Sequence, residues 1–378
     1  HYLSSPPYFC SGYFMNNNKI EMIDGAAAIA RGALDAGCNF FAGYPITPAS
    51  GILGHMLREL PKVGGVGFQG EDEISSIGHC IGAATAGAKA FTASSGPGLS
   101  LYSENIGLAI MMEIPLVICI SQRLGPSTGA ATASAQGDIQ FMRWCTSGGY
   151  PIIVLSPTNI PECYHLTKRA FQLAQRFRCP VFIATDKETV MTTESISANQ
   201  MVISPDWPDV PDVPIHRSLE PYKKNGTIYH HTGSSHTQEG HITKDPETLA
   251  ELNENLRTKI ENNQSELSLV KADSQKGAKI LILSFGITSR SMEVAVKEIR
   301  GKGMKISSLT IYSLWPVPES AIKKALKGIN KVVIPEMNHG QYRHEIERLV
   351  ESNIKLISIN RVDSFLISPE QILDVIHG

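Results

Sequence analysis

What this chain lacks sets the first limits on its chemistry. Its seven cysteines, Cys10, Cys38, Cys80, Cys119, Cys145, Cys163 and Cys179, form no CxxC pair, so neither a zinc site nor an iron–sulfur cluster is expected on this chain alone. They read as small buried hydrophobes of a protein in a reducing cytoplasm. No apolar run approaches the roughly 18 residues needed to cross a bilayer; even AIMMEIPLVICI is broken by Glu113 and Pro115. The N-terminal HYLSSPPYFCSGYF has neither the basic start nor the apolar centre of a signal peptide, and reads as an extension ahead of Met15. Charge of one sign is also missing, since 34 basic residues face 36 acidic ones for a net charge of -2. The pairs Lys223-Lys224 and Lys323-Lys324 read as solvated surface, not as a stripe that tracks phosphates, so no nucleic acid partner is expected. The phosphate loop GxxxxGKS/T is absent, and neither dinucleotide binding nor serine-hydrolase chemistry is expected.

What is present is a doubly wound pattern. From Glu21 to about Thr193, short apolar β runs alternate with Ala-rich helical stretches, as in a parallel sheet covered on both faces. The expected strands are NFFAGYP, GVGFQGE, AKAFTASS, PLVICIS, PIIVLS and CPVFIAT. The expected helices are MIDGAAAIARGALDAG, PASGILGHMLRELPKV, DEISSIGHCIGAATAG, LSLYSENIGLAIMME and IPECYHLTKRAFQLAQRF. From Asn199 to Gly277 the chain is first Pro-rich, then polar and His-rich, with one amphipathic helix expected on the stripe Leu249, Leu252, Leu256 and Ile260. A second α/β unit begins at Lys279, with strands expected in KILILSFG, KISSLTIY, KVVIPE and KLISIN. The expected architecture is α/β: an extension 1–16, a large three-layer domain 17–197, a linker 198–277 and a small three-layer domain 278–378.

Three segments in the first third carry the chemistry: GYPITPAS from Gly43, the stretch Gly70 to Gly107 that opens GEDEISS, and QRLGPSTG from Gln122. Each reads as a strand running into a Gly/Ser/Thr-rich turn and then a helix, where a doubly wound sheet turns backbone amides toward a ligand. Glu73 heads a helix of small residues, where the helix dipole favours a carboxylate. Taken alone, Glu71-Asp72-Glu73 is also an ordinary acidic first turn, and Thr47 before Pro48 an ordinary helix cap. Arg123 suits bidentate contact with a carboxylate, though an arginine after a strand is commonly just surface.

Taken together and in order, the motifs GYPITPAS, the EDEI-led helix, TASSGPGLSLYSENIG, RLGPSTG, AQGD at Ala135 to Asp138, PIIVLSPTN, TGSSHTQEGHITKDPE, LWPVP at Leu314 to Pro318 and PEMNHGQ at Pro335 to Gln341 carry a family resemblance. From about Asn17 onward the chain resembles the α subunit of the 2-oxoacid:ferredoxin oxidoreductases, in particular the 2-oxoglutarate type. The resemblance implies a first domain similar to the pyrimidine-binding (PYR-like) domain of thiamine diphosphate enzymes and a second similar to the transketolase C-terminal domain. It implies that Glu73 hydrogen-bonds the aminopyrimidine ring of thiamine diphosphate, a job suited to a carboxyl in a small-residue niche that can share a proton with a ring nitrogen. Thr47 would lie by the thiazolium and the substrate, with Tyr44 and Pro45 in the same cofactor-binding turn and Ser95 and Gly96 beside them. Arg123 would pair with the 2-oxoacid carboxylate, with Ser127 and Thr128 around the same substrate pocket.

Thiamine diphosphate enzymes usually anchor the diphosphate through Mg²⁺ on a GDG motif, and none occurs here, because Gly137-Asp138 lacks the third residue. The resemblance therefore implies a β subunit that supplies the diphosphate and Mg²⁺ sites and a 4Fe-4S cluster, ferredoxin as acceptor, CoA as co-substrate, and possible γ and δ subunits. The implied reaction takes 2-oxoglutarate, CoA and oxidised ferredoxin to succinyl-CoA, CO₂ and reduced ferredoxin, or the reverse. Pyruvate or a branched-chain 2-oxoacid is the alternative substrate. A noncatalytic assembly protein of the same fold is the alternative class, and a stand-alone transketolase-like enzyme is disfavoured by the missing GDG. AsnHisGly at Asn338 to Gly340 has no function derivable at this stage, and His339 is expected to pack or cap.

Overall fold

The computed structural model describes residues 20–202, 206–215 and 230–377, so Cys10 and the N-terminal extension lie outside the described residues. The chain opens with β1 (Ile20–Asp24) and α1 (Gly25–Asp35). There follow β2 (Phe40–Gly43), α2 (Ser50–Glu59), β3 (Val66–Gln69), α3 (Glu73–Thr85), β4 (Ala90–Ser94), α4 (Gly96–Met111) and β5 (Leu116–Gln122). Next come α5 (Ile139–Arg143), β6 (Ile153–Leu155), α6 (Ile160–Phe177), β7 (Pro180–Asp186), α7 (Lys187–Met191), β8 (Thr193–Ser197) and α8 (Ala198–Val202). The helices α9 (Pro246–Glu261) and α10 (Gln264–Leu267) lead into β9 (Val270–Asp273), β10 (Ile280–Ser284), α11 (Thr288–Gly301), β11 (Ser307–Ile311) and β12 (Ser313–Trp315). The chain closes with α12 (Glu319–Ala325), β13 (Lys331–Glu336), α13 (Arg343–Glu347), β14 (Lys355–Asn360) and α14 (Pro369–His377).

Local chemistry explains where these elements start. Short acidic or amide side chains close the first turns: Asp24 accepts from the Ala27 amide at 2.7 Å, Asp72 from Ser75 at 2.7 Å and Asn159 from Glu162 at 3.0 Å. Each satisfies a helix-start N–H that has no partner within the helix. The apolar run LVICISQ has all seven residues buried, as expected of a central parallel strand covered by helices on both faces.

The large sheet runs in the order β12-β6-β7-β5-β4-β2-β3, parallel except for β12. The second sheet runs β14-β13-β10-β11-β9, parallel except for β9. Because β3 lies on one side of β2 and β4 on the other, the winding reverses at β2. The crevice beyond the carboxyl ends of β2 and β4 is therefore the topological switch point, where open α/β sheets bind ligands. One apolar cluster joins the two halves, holding Ile118 and Phe182 together with Leu314, Trp315, Phe285 and Tyr342. Six cysteines, from Cys38 onward, are buried and free, and no helix among the described residues is long and apolar enough to cross a membrane.

Several expectations need correction. Met22 to Asp24 is strand, not helix, because β1 finds an antiparallel partner in β8. The expected linker contains β9, which edges the second sheet through β11. LWPVP hands β12 to the first sheet, where it pairs with β6. Of the expected helical stripe, Leu256 and Ile260 are buried whereas Leu249 and Leu252 remain half-exposed. A GxGxxG string does occur, GVGFQG at Gly65 to Gly70, but most of it is the strand β3 and not the turn between a strand and a helix, so it is no dinucleotide fingerprint.

Candidate active site at the switch point

Glu73 is the first residue of α3, directly after the capping residue Asp72, and is only 7% exposed. It is thus both an acidic first-turn residue and a carboxylate turned into the protein. Its neighbour across the crevice is the turn SerGlyProGly, where β4 runs into α4. A Cβ on Gly98 would collide with Ser94 Oγ and lie 2.8 Å from Glu73 Cγ, while one on Gly96 would lie 2.8 Å and 2.9 Å from the two Asp138 carboxylate oxygens. The two glycines therefore let carboxylates approach the start of α4 from either side, which no larger residue permits. Behind them Thr92 Oγ1 donates to the Ala42 carbonyl at 2.7 Å and meets the Tyr102 hydroxyl at 2.9 Å, tying β4 to β2 and α4.

Arg123 follows β5 and is 6% exposed. Its guanidinium donates to the Thr47 carbonyl at 2.7 Å and to the Thr128 carbonyl at 2.9 Å. One side chain thus clamps the loop after β2 to the loop after β5, and Nε is left buried without a partner. Asp138, just before α5, receives its own backbone anchor from Gln122 Oε1, which accepts from the Asp138 amide at 3.1 Å. Burial pushes the Asp138 carboxyl up to about 6, with the Arg123 guanidinium pulling the other way.

Ser94 Oγ, Ser95 Oγ, Arg123 Nε and Asp138 Oδ2 are all buried and lack hydrogen-bond partners. A buried polar atom left unmatched is costly. Four of them around one crevice mark the place of a polar ligand, and the close-approach glycines supply its floor. Hydroxyl, guanidinium and carboxyl groups together suit a heteroaromatic cofactor with an amino group and a small carboxylate substrate, so thiamine diphosphate fits this donor set.

The remaining expected site residues fall around this crevice in differing ways. Tyr44 is half-buried and Pro45 exposed, both in the loop leaving β2. Thr47 does not cap α2, because that helix begins at Ser50 with Ala49 as its uncapped N-cap. Ser127 and Thr128 expose their side chains, Ser127 in the left-handed conformation at φ 53°, and Thr128 contributes its carbonyl, not its hydroxyl, to Arg123. GPSTG at Gly125 to Gly129 has the GxSxG spacing, yet no helix follows Ser127, which rules out a nucleophile elbow. Sequence reasoning does not single out Asp138 or Ser94 as site residues; AQGD, which holds Asp138, carries part of the family resemblance and otherwise reads as an incomplete metal motif.

The AsnHisGly motif turns out to fasten the two halves below this site. Asn338 Nδ2 donates to the Gln136 carbonyl at 2.9 Å, and its Oδ1 accepts from the amides of Gly340 and Gln341, each at 2.8 Å. Gln341 in turn donates to the Gly137 carbonyl at 2.7 Å. AQGD and NHGQ are thus one seam that sets the backbone on both sides of Asp138. His339 is exposed, contrary to the expectation that it packs or caps.

Comparison with known proteins gives this arrangement its class. Residues 31–255 match the family model for the thiamine-diphosphate-binding part of pyruvate flavodoxin/ferredoxin oxidoreductase, so the first half is a thiamine-diphosphate-binding α/β domain. Residues 278–372 match core domain II of pyruvate:ferredoxin oxidoreductase, and the chain belongs to this oxidoreductase family. It is 38% identical to the 2-oxoglutarate synthase subunit KorA of Methanocaldococcus jannaschii, over 95% of this chain and 100% of that protein. It is 32% identical to the ketoisovalerate oxidoreductase subunit VorB of Methanothermobacter thermautotrophicus, over 94% of this chain and 97% of that one. Among solved structures it is similar to 2-oxoglutarate:ferredoxin oxidoreductase from Magnetococcus marinus, determined with 2-oxoglutarate, coenzyme A and succinyl-CoA bound. The TM-score is 0.87 at 28% identity, covering 95% of this chain and 65% of that longer one.

Proposed function

We infer that this chain is the α subunit of a 2-oxoglutarate:ferredoxin oxidoreductase, acting on 2-oxoglutarate, CoA and oxidised ferredoxin to give succinyl-CoA, CO₂ and reduced ferredoxin, or in reverse. The observation that carries this reading is the end-to-end match to a 2-oxoglutarate synthase subunit at 38% identity, higher than the 32% to the ketoisovalerate relative. The crevice supports it with a buried carboxylate and a clamped arginine at the switch point. Residues 17–197 form the pyrimidine-binding unit and residues 278–378 the transketolase C-terminal-like unit.

When bound, thiamine diphosphate supplies the nucleophilic carbon and the electron sink that cleavage of a 2-oxoacid needs. Glu73 is positioned to hold a proton against the aminopyrimidine edge of that cofactor, with Gly98 permitting the approach. Ser94 and Ser95 offer hydroxyls, and Tyr44 and Pro45 form one wall. Arg123, pre-set by the Thr47 and Thr128 carbonyls, keeps its buried Nε for the carboxylate next to the 2-oxo group. Asp138 beside it, raised by burial to about 6, is ionised at pH 7 and takes up a proton only on the acid side of that value, so that near neutral pH it offers an acceptor at the start of α4. Ser127 and Thr128 rim the entrance. A β subunit is assigned the Mg²⁺ and diphosphate sites and a 4Fe-4S cluster, with γ and δ subunits completing some assemblies in the cytoplasm.

The test is to purify the complex from its native source through this chain, identify its other subunits by mass spectrometry, and assay CoA-dependent viologen reduction with 2-oxoglutarate, pyruvate and 2-oxoisovalerate. Preference for 2-oxoglutarate, with a partner carrying GDG and clustered cysteines, is the expected result. Preference for another 2-oxoacid corrects the substrate, and a chain that purifies alone and inactive contradicts the reading.

A further inference from the structure

At the opposite end of the large sheet, the segments entering β4, β5 and β7 border a half-open cavity of about 80 Å³, several times the roughly 10–15 Å³ that one water needs. Thr85, Gly87, Pro115, Gln175, Arg178 and His231 line it. Arg178 ends α6 in the left-handed conformation, at φ 47° and ψ 60°, where glycine is the usual residue. It is 8% exposed, its Nε is buried without a partner, and among the described residues its guanidinium makes no hydrogen bond. Both ring nitrogens of His231 are also buried and unpartnered.

The charges around the cavity leave the arginine uncompensated. Glu113 is the carboxylate that bears on Arg178, and its Oε1 already accepts from the buried Lys259 Nζ at 2.7 Å. Lys259 also donates to the Arg178 carbonyl at 3.1 Å, which fixes the left-handed turn. Two cations thus face one anion. Burial lowers the His231 pKa, with Arg178 and His236 acting in the same direction, so near pH 7 the ring is neutral and presents one N–H donor. Arg178 stays charged despite the downward pull of burial.

We propose that this cavity binds one small oxyanion, a phosphate or carboxylate group received by Arg178 and His231. The site is separate from the switch-point crevice, lying about 20 Å away by the rise of the 13-residue α3, and does not rest on the functional reading above. The full chain is titrated by calorimetry with inorganic phosphate and, separately, with acetate at fixed chloride concentration. Saturable binding of at least one is expected; phosphate alone identifies a phosphoryl ligand, acetate alone a carboxylate. Arg178→Gly suits the left-handed backbone and so folds, and it should weaken binding at least tenfold. His231→Ala should weaken it by a smaller factor, and Lys323→Ala, on the exposed surface of α12, should leave it unchanged. Absence of saturation with both anions, or equal affinity in Arg178→Gly and the unsubstituted chain, overturns the proposal.

Discussion

Each end of the large sheet carries a buried arginine whose Nε finds no acceptor, yet the two are built differently. Arg123 is pinned by two backbone carbonyls from two loops, and its neighbours Glu73, Ser94 and Asp138 crowd glycines that leave no slack. Arg178 is held through its backbone alone, by Lys259 reaching from α9. The crevice is therefore preorganised on strand ends and helix starts, as a site of chemistry must be. The opposite cavity depends on a single ion pair supplied by the segment between the two halves, which ties its shape to how that segment docks.

Substitutions can separate these two designs. Gly98→Ala should be the most damaging to activity, costing about 1–3 kcal/mol of stability through overpacking and roughly a hundredfold in turnover through displacement of Glu73. Gly82→Ala in α3 meets open space and should instead stabilise by about 0.5–1 kcal/mol. Denaturant midpoints and steady-state rates of both variants check the contrast, and equal stability of the two would break it. Lys259→Met should destabilise by about 3 kcal/mol, because it leaves Glu113 without its buried partner, and should abolish the anion response at the Arg178 end while sparing the crevice in those molecules that remain folded.

Arg123→Ala should raise the KM for the 2-oxoacid by about 10- to 100-fold with thiamine diphosphate occupancy unchanged; an unaltered KM would make the arginine a loop clamp and nothing more. Asp138→Asn should show itself in the pH dependence of stability. With its folded pKa raised to about 6, the wild-type carboxyl favours the folded state most when protonated. Stability should therefore fall as pH rises from about 4 to about 6 and then level off. Asp138→Asn should remove that fall and melt higher than wild type at pH 7, with the gap closing below pH 4. A thermal-melt series across pH 3.5 to 8 that shows a constant gap would contradict the burial argument.

How much of this was legible beforehand follows from where each interaction is encoded. PLVICIS and IPECYHLTKRAFQLAQRF announce β5 and α6 because their apolar periods are local, and α6 occupies the whole expected run. The strand β12 is hidden because Ser313–Trp315 is three residues long and gains its meaning only from β6, far back along the chain. Strand β1 is hidden in the same way by its pairing with β8. In the site, Glu73 stands out as a charge heading a small-residue helix. The clamp on Arg123 does not, because its acceptors are backbone carbonyls that any residue provides. Asp138 lies in the AQGD motif but is not legible as a site residue, because a five-residue helix and a seam with NHGQ bring it beside Gly96.

The central claim is that Glu73 at the switch point holds the proton that activates the cofactor. It is tested most directly by exchange of the thiamine diphosphate C2 proton in the assembled complex, comparing wild type with Glu73→Gln at equal cofactor occupancy. Glu73→Gln should slow exchange by about 10²- to 10⁴-fold with the fold intact. Exchange at the wild-type rate in Glu73→Gln would contradict it.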